Sequence, residues 1–363
     1  MKKTFSWLAL LLAALMLLAS CNTANSQQTT TPEHSTPTQT TPEETTPDST
    51  TPEPEVTTPK PEETTPDTPV TPPEPQKKTL KVLAIGNSFS DDGMEHLAEI
   101  LVGEGYTDFI LGNLYIGGCS MDGHKARIDS GAKDYSFRTN TGSGWTTVQE
   151  SIQYGLDYAD WQIITIQQVS GYSGIPESYG NMQYIIDYVR DRVDPFVKIF
   201  FHMTWAYQST SGHGDFAKYN KNQMQMYNAI TSTVQTLVVG NWNIEGYIPS
   251  GTAIQNLRTS YLGDNLTRDG YHLSLREGRF LAALTYAKIL TGCDLAEISY
   301  TPEQYEYDDL LVAAIKDAVD KACENPFEVT MSSYPLADYP GRTPFTNEEF
   351  ENVSSGYESG DWQ

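Results

Sequence analysis

The sequence predicts an α/β domain of three layers, in which helices cover both faces of a parallel sheet. Two observations support this class. Short apolar runs alternate with amphipathic stretches through residues 79–330, and several of these runs end in glycine or in polar residues. Alternation of this kind is typical of βαβ units, whose strands are buried on both faces. We therefore expect residues 79–330 to form one globular domain.

The apolar runs are the expected strands, and the stretches between them are the expected helices. A buried strand is predicted at residues 80–85, before Gly86, and a helix follows at 95–102. The polar, glycine-rich and aromatic stretch 123–145 is expected to leave the sheet and cross the end that carries the site. Further strands are predicted at 109–116, 161–166, 197–203 and 245–248, and further helices at 148–158, 179–192, 216–239, 280–290 and 310–322.

The N-terminal residues are typical of a targeting segment. Lys2 and Lys3 precede an apolar stretch, residues 5–18, that is too short to span a bilayer comfortably. The stretch ends in the sequence LASC, which resembles the lipobox of bacterial lipoproteins. We expect residues 1–21 to be a lipoprotein signal peptide, and Cys21 to anchor an extracellular protein to the bacterial cell membrane. An ordinary cleaved signal peptide with a chance cysteine is the alternative.

Residues 22–78 and residues 331–363 are expected to lie outside the globular domain. The first segment consists mostly of Thr, Pro and Glu and has almost nothing aliphatic to bury, which predicts a disordered linker. Its prolines favour an extended polyproline II spacer on the order of 100 Å or more. A proline-motif ligand for a partner is the alternative. Residues 331–363 show no clear period and are expected to be a partly mobile C-terminal extension.

The charge and the cysteines exclude several classes of function. The chain has 23 Lys and Arg against 47 Asp and Glu, a net charge of −24, and no basic run, so we expect no nucleic acid partner. Besides Cys21 there are only Cys119, Cys293 and Cys323, whose spacing fits neither a CxxC metal site nor a disulfide-stapled fold. We expect these three cysteines to be buried thiols. One disulfide is the alternative, because disulfides form outside the cell. Neither HxxxH nor HExxH occurs, so we expect no metal and no cofactor.

The first candidate functional residue is Ser88, which lies where the first predicted strand ends and a helix begins. It is the serine of the sequence GNSFS, residues 86–90. A serine at this end of a parallel strand lies at the rim of the sheet, and the N-terminus of the following helix offers backbone N–H groups to a developing oxyanion. Ser88 is therefore a candidate nucleophile. The alternative is a helix-capping serine in an ordinary βα loop.

The second candidate is the pair of Asp269 and His272, in the sequence RDGYHLS before the predicted helix 280–290. Residues three apart can lie on one turn, so the carboxylate can accept from one ring nitrogen while the other nitrogen faces a serine. In that geometry His272 takes the hydroxyl proton and Asp269 stabilises the imidazolium that forms. The alternative is a surface turn in which Asp269 makes only a local hydrogen bond.

Together, these two segments resemble the first and last sequence blocks of the SGNH (GDSL-like) hydrolase superfamily. The resemblance covers residues 81–290, and it is to a bacterial lipoprotein branch with GNSFS near its start and a DGYH-type end. It implies a flavodoxin-like sheet of about five parallel strands. It also implies a serine esterase that forms an acyl-enzyme, with Ser88, Asp269 and His272 as the catalytic triad.

The same resemblance implies an oxyanion hole with three donors. The backbone N–H of Ser88 is one donor, and a glycine N–H after the second strand is another, for which Gly118 is the first candidate. The superfamily places an Asn side chain after the third strand, within a GxND block that this chain lacks. Gln167 is the first candidate for this third donor and Gln168 the second, because a Gln side chain carries the same amide on a longer arm.

Further side chains near the strand ends are candidates for substrate binding. His124, His202 and Trp205 could line a pocket, with Tyr207 as a second stacking surface. Histidines that are only buried or only solvated are the alternative. Three aromatic residues of the stretch 123–145 could cover the cleft and stack on a sugar, although such clusters more often belong to the core: Tyr135, Phe137 and Trp145.

The function expected from these observations is a serine esterase that removes acetyl or other small acyl groups from a polysaccharide or glycan at the cell surface. The expected partners are this acylated glycan and the membrane that holds the lipid anchor. Two alternatives stay open. One is a lipase or thioesterase for long acyl chains, against which the lack of an obvious apolar lid counts. The other is a catalytically silent carbohydrate-binding protein.

Overall fold

A computed structural model of the chain describes residues 77–338. The lipobox with Cys21, nearly all of the predicted linker and most of the predicted C-terminal extension lie outside the described residues. The domain boundaries drawn from the sequence therefore stay predictions. Within residues 77–338, no helix combines the length and the apolar character needed to cross a bilayer.

Seven strands form one sheet in the described part of the chain. They are β1 (Lys78–Gly86), β2 (Tyr106–Tyr115), β3 (Tyr135–Asn140), β4 (Trp145–Glu150), β5 (Ile163–Ile166), β6 (Lys198–His202) and β7 (Gly246–Ile248), in the spatial order β4-β3-β2-β1-β5-β6-β7. The strands β2, β1, β5, β6 and β7 are parallel, and counted alone they have the flavodoxin-like order 2-1-3-4-5. The antiparallel pair β3 and β4 extends the sheet beyond β2.

Helices lie on both sides of this sheet, which confirms the predicted α/β class. One group packs around the helix of residues 277–291, and a second group packs around the helix of residues 121–130. The predicted number of about five strands is correct for the parallel part only, because the hairpin of β3 and β4 raises the total to seven. The helices are α1 (Ser88–Met94), α2 (Leu97–Gly103), α3 (Met121–Ser130), α4 (Ile152–Asp157), α5 (Met182–Arg190), α6 (Gln223–Leu237), α7 (Ser250–Leu257), α8 (Glu277–Thr291) and α9 (Asp309–Glu324).

The stretch 123–145 does not leave the sheet, contrary to the prediction. It contains most of α3 and the whole of β3. Tyr135 and Phe137 lie two residues apart on β3 and therefore share a face, on which they are 0% and 1% exposed. Trp145 begins β4, and its ring lies 4.7 Å from the guanidinium of Arg138. These aromatic residues pack against the interior. The polar residues that alternate with them led to the prediction of a loop where the chain forms a strand.

Two predicted helices are also shorter than expected. The segment predicted as a helix at 148–158 begins as β4, and α4 starts only after Ser151, whose side chain caps it. The helix predicted at 216–239 is interrupted before α6, because Asn220 and Lys221 have φ angles of 55° and 52°. A right-handed helix cannot continue through two residues in the left-handed region.

Helix α7 was not predicted at all. All eight of its residues are buried, including the polar Ser250, Thr252, Gln255 and Asn256, so no exposed polar face marks it as a surface helix. The three cysteines agree in part with the prediction of buried thiols. Cys119, Cys293 and Cys323 are free thiols, of which Cys119 is buried and the other two are half-buried.

The register of the parallel strands brings their carboxyl ends to one edge of the sheet. Gly86 of β1 pairs with Tyr115 of β2, and Ile85 pairs with Ile166 of β5. The end of β6 pairs in turn with the end of β7. Loops that follow these strands therefore meet at a common edge, which is where ligands bind in open α/β sheets.

We expect Gly251→Ala to lower the free energy of unfolding by about 1–3 kcal/mol. Gly251 lies in the first turn of α7, and a Cβ atom there would collide with the backbone carbonyl oxygen of Thr204. Urea unfolding of the two proteins measures the difference. Gly180→Ala is the matched control, because φ of Gly180 is −55° and the nearest atom to an added Cβ lies at 3.9 Å. Equal stability of the two variants would contradict the expectation.

Candidate active site

A cleft of about 570 Å³ opens at the carboxyl edge of the parallel strands. Its walls come from the segments that follow β1, β2, β5 and β6, together with the segment that precedes α8. Polar and aromatic side chains dominate, and apart from glycines the described lining includes only Val169 and Leu275 as aliphatic residues. The cleft can therefore hold a polar ligand at the edge where both sequence candidates were expected.

Ser88 projects into this cleft from the first turn of α1. The preceding residue, Asn87, caps the helix, since its Oδ1 accepts the N–H of Phe89 at 3.0 Å. The capping alternative for Ser88 is therefore wrong, and its hydroxyl is available for another contact. Gly86 is required by close packing, because a Cβ there would lie 2.6 Å from Ser90 Oγ.

Asp269 and His272 lie at the tip of a tight hairpin, residues 266–274, which we call the base hairpin. Its two arms are joined by hydrogen bonds from Arg268 N to His272 O at 2.9 Å and from Ser274 N to Leu266 O at 2.8 Å. Gly270 turns the chain at the tip with a φ of 93°, a conformation that glycine adopts without strain. The Asp-Gly turn therefore brings the carboxylate back to the histidine three residues later.

The structure brings the three predicted triad side chains into one hydrogen-bonded line. His272 Nε2 lies 2.8 Å from Ser88 Oγ, although the two residues are 184 positions apart in the sequence. On the other side of the ring, His272 Nδ1 lies 2.6 Å from Asp269 Oδ2. The second oxygen, Asp269 Oδ1, accepts the backbone N–H of His272 at 2.8 Å. This arrangement fixes the ring so that Nε2 can take a proton from the serine.

The environment keeps the carboxyl group of Asp269 ionised. Burial alone would raise its pKa, but the hydrogen bond and the charge of His272 and the backbone N–H groups of Tyr271 and His272 lower the pKa below its usual value. An ionised carboxylate accepts the Nδ1 proton and so leaves Nε2 as the acceptor of the neutral ring.

A second set of contacts holds the tip of the base hairpin from the outside. Trp205 Nε1 donates to Tyr271 O at 2.7 Å, and the ring of Trp205 stacks on Phe89 with a centroid distance of 4.2 Å. Gln208 N donates to Gly270 O at 2.9 Å. Trp205 is 0% exposed, so the prediction that it binds substrate is wrong. Instead, it contacts the residues next to the candidates, namely Tyr271 beside His272 and Phe89 beside Ser88.

Ser88 and Gly118, whose backbone N–H groups are the predicted oxyanion donors, both line the same cleft. The loop after β2 lines it with Gly117 and Gly118, and this loop is tied to the nucleophile turn by a hydrogen bond from Asn87 Nδ2 to Cys119 O at 3.0 Å. Among residues 77–338, no acceptor pairs with the backbone N–H of Ser88 or of Gly118. Two of the three predicted donor residues therefore line the cleft that contains the serine hydroxyl.

The third predicted donor is not placed in the cleft. Gln167 is 3% exposed, and its Nε2 donates to Asn87 Oδ1 at 2.8 Å. Gln168 is 1% exposed, and its Nε2 donates to Ser178 O at 2.8 Å. Neither glutamine is among the lining residues. Both predictions are corrected, because these amides are used inside the protein and not toward a ligand.

The two predicted substrate histidines are buried and paired inside the protein as well. His202 Nδ1 lies 2.9 Å from Gln167 Oε1, and His202 Nε2 lies 3.1 Å from Ser250 Oγ. His124 Nδ1 lies 2.8 Å from the hydroxyl of Tyr135. Burial lowers the pKa of His124 and of His202 to about 3. The prediction that they contact substrate is wrong, and the solvated alternative for His124 is wrong too.

Several lining residues were not found from the sequence. His213 and Asp215 come from the glycine-flanked segment after β6, and the His213 ring lies 4.6 Å from that of Tyr271. Tyr172, 39% exposed, lines the cleft from the segment after β5. Glycines on both sides of a histidine, in the segment that follows a parallel strand, would have been a usable signal for His213. Within residues 77–338, no group of three or more His, Cys, Asp or Glu side chains is arranged to hold a metal ion.

The fold and the placement of these side chains define an α/β protein with a hydrogen-bonded Ser-His-Asp line at the carboxyl edge of its sheet, in agreement with the resemblance to SGNH hydrolases seen in the sequence. The chain belongs to the family described as domain of unknown function DUF4886, whose family model matches residues 81–319. It is similar to the crystal structure of a DUF4886 family protein from Bacteroides uniformis. The two chains are 40% identical over 70% of this chain and 98% of that chain, with a TM-score of 0.66.

More distant likenesses have low TM-scores. A proposed SGNH hydrolase from Slackia heliotrinireducens is 18% identical, with 59% of this chain and 100% of that chain covered and a TM-score of 0.37. A catalytic mutant of Axe2, an acetylxylan esterase from Geobacillus stearothermophilus, is 12% identical, with 64% and 100% covered and a TM-score of 0.37. No curated protein matches the sequence.

We expect the folded protein to lose stability steeply as the pH falls below about 6.5. Burial is the main cause that lowers the pKa of His96 to about 4 and that of His124 and His202 to about 3. Because these folded values lie below the unfolded value of 6.5, the unfolded chain binds protons first as the pH falls. Above pH 6.5 the three histidines are neutral in both states, and their contribution to the free energy of unfolding is fully present. Below that pH, their protonation in the unfolded chain lowers the free energy of unfolding by about 4 kcal/mol per pH unit.

Urea unfolding between about pH 5 and pH 6.5 measures this slope. His124→Gln is the matched variant, since it removes one titrating group and should reduce the slope by about a third. A slope that is flat in this range, or unchanged in His124→Gln, would show that these histidines do not stay neutral in the folded protein.

Proposed function

We propose that this protein is a serine esterase that removes small acyl groups, acetyl above all, from a polysaccharide or glycan. One observation carries the proposal. Ser88 Oγ, the His272 ring and the Asp269 carboxylate form a continuous hydrogen-bonded line, with distances of 2.8 and 2.6 Å, in a cleft lined by Ser88 and Gly118, whose backbone N–H groups have no acceptor among residues 77–338. These are the parts that acyl transfer to serine requires.

The reaction follows from the roles of these atoms. Ser88 Oγ bonds to the ester carbonyl carbon while its proton passes to His272 Nε2, and Asp269 stabilises the imidazolium. The N–H groups of Ser88 and Gly118 hold the negative oxygen of the tetrahedral intermediate. When the intermediate collapses, His272 gives the proton to the leaving alcohol, and the acyl group remains on Ser88. Water then attacks the acyl-enzyme with His272 as base, releasing the acid and restoring the serine hydroxyl.

The lining of the cleft supports a small acyl group and a polar alcohol. Burying each methylene of a long acyl chain is favourable by about 0.8 kcal/mol only where an apolar surface receives it. Val169 and Leu275 offer little such surface beside the polar groups of the cleft. Tyr172 and Tyr271 offer aromatic faces, and Asp215 offers carboxylate oxygens that can accept sugar hydroxyl protons.

The place of action is part of the proposal. The lipobox at Cys21 supports an extracellular enzyme anchored to the cell membrane by lipid, and the Thr- and Pro-rich residues 22–78 support a spacer that carries residues 79–330 away from the membrane. An enzyme held in this way would meet glycans of the cell surface or of the surroundings, which are common carriers of ester-linked acetyl groups.

We expect the full chain to hydrolyse p-nitrophenyl acetate, and Ser88→Ala to lower the rate by about three orders of magnitude or more, because the nucleophile is lost. Ser130→Ala, at an exposed serine that ends α3, is the control and should keep the wild-type rate. A fluorophosphonate should label the wild-type chain on the peptide that contains Ser88. Labelling of a different serine, or full activity of Ser88→Ala, would refute the assignment.

We expect kcat/KM for p-nitrophenyl acetate to exceed that for p-nitrophenyl octanoate by about tenfold or more, because the cleft offers few apolar contacts to the longer chain. Steady-state rates with both esters, at substrate concentrations below micelle formation, measure the ratio. The reverse preference would favour a lipase or thioesterase. Saturable glycan binding with no turnover of either ester would favour a silent carbohydrate-binding protein.

A further inference from the structure

We propose that Asp92 is a positioning residue, whose carboxylate fixes the base hairpin against α1 and so sets the distance between Ser88 Oγ and His272 Nε2. The inference rests on the proposed function. Asp92 lies four residues after Ser88, so the two side chains share one face of the same helix. Asp92 is 0% exposed and does not line the cleft, so it acts through other residues and not on the substrate.

The carboxylate of Asp92 binds both arms of the base hairpin. Asp92 Oδ2 accepts the backbone N–H of Leu273, the residue after His272, at 2.9 Å. The guanidinium of Arg268, on the other arm, donates to Asp92 Oδ1 and Oδ2 at 3.0 and 3.2 Å. The same guanidinium nitrogen also donates to Leu273 O. The segment that carries the base is thus joined directly to the helix that carries the nucleophile.

A third contact anchors the carboxylate from the side of α8. Arg279 Nε donates to Asp92 Oδ1 at 2.8 Å. Burial alone would raise the pKa of Asp92, but the charges of Arg268 and Arg279 lower it below its usual value, so the group is ionised. An ionised carboxylate held by two guanidinium groups and one backbone N–H has little freedom to move. The hydrogen bond to Leu273 is therefore a fixed reference point for His272.

Stability alone does not explain this cluster. Taking a carboxylate and two guanidinium groups out of water is costly, and well-packed apolar residues in place of a buried ion pair are often at least as stabilising. Fixed geometry is what the charged arrangement adds. Misplacement of a catalytic group by about 1 Å can lower a rate about a hundredfold.

The experiment compares kcat and KM for p-nitrophenyl acetate in the full chain and in two variants. Asp92→Asn keeps the shape of the side chain but loses the charge that pairs both arginines. Asp92→Glu keeps that charge but places the carboxylate one methylene further from α1. We expect each folded variant to lose kcat by about tenfold to a hundredfold while KM changes less than about threefold, because displacement of the base slows the chemical step more than it weakens the binding of a small ester.

Glu95→Gln is the matched control. Glu95 follows α1 directly and lies 3.9 Å from the guanidinium of Arg279 and 3.8 Å from that of Arg138, so it belongs to the same charged region. The variant Glu95→Gln makes the same carboxylate-to-amide change as Asp92→Asn. Within the described residues, no hydrogen bond joins Glu95 to the base hairpin, in contrast to Asp92. We expect its kcat to stay within about twofold of the wild-type value.

Circular dichroism and thermal unfolding establish which variants are folded, and if Asp92→Asn unfolds, Asp92→Glu decides. Wild-type kcat in a folded Asp92 variant would overturn the inference. So would a change in KM alone, or an equal loss of kcat in Glu95→Gln, since either would indicate a general electrostatic effect. A wild-type chain that neither turns over the ester nor reacts with fluorophosphonate would overturn the proposed function, and this inference with it.

Discussion

The docking of the base hairpin against α1 is the contact on which the rest of the site depends. Ser88 follows β1, which lies in the interior of the sheet, whereas His272 arrives 184 positions later on a segment that belongs to no strand of the sheet. Nothing in the sheet itself fixes the distance between them. That distance is set by side chains that reach from α1 and from the segment after β6 to the two arms and the tip of the hairpin. A site assembled in this way needs rigid contacts, because hydrogen bonds weaken steeply with misalignment.

A buried polar chain does the corresponding work on the oxyanion side. Asn87 caps α1 with its Oδ1 and holds the glycine loop after β2 with its Nδ2. Its amide orientation is fixed by Gln167, whose other end pairs with the neutral ring of His202, and that ring pairs with Ser250. This series of hydrogen bonds runs from the end of β1 across the ends of β5 and β6 to the start of α7. Because each amide or ring has only one orientation that satisfies both neighbours, the whole set fixes the loop that presents the oxyanion donors.

The fold class and the positions of the triad candidates could be predicted from the sequence, because both depend on local patterns. Short apolar runs that end in glycine or polar residues indicate buried strands, and an Asp three residues before a His can contact it within one turn. The uses of Gln167 and His202 depend instead on partners 80 and 35 positions away, which no local pattern contains. The same holds for α7, whose polar residues Thr252 and Asn256 bond to backbone carbonyls 74 and 62 positions away, and for His213, which lines the cleft from the segment after β6.

The placement of Gln167 and Gln168 inside the protein leaves two of the predicted oxyanion donors, and this bears on the chemistry proposed for the site. Removal of one such donor lowers kcat by about a hundredfold to a thousandfold in enzymes that cleave amides. Esters have a better leaving group and a more electrophilic carbonyl than amides, so they need less stabilisation of the tetrahedral intermediate. An oxyanion hole made of the backbone N–H groups of Ser88 and Gly118, as proposed, would thus be better matched to ester cleavage than to amide cleavage. Rigid placement of the remaining groups then becomes more important, because fewer donors must hold the same developing charge.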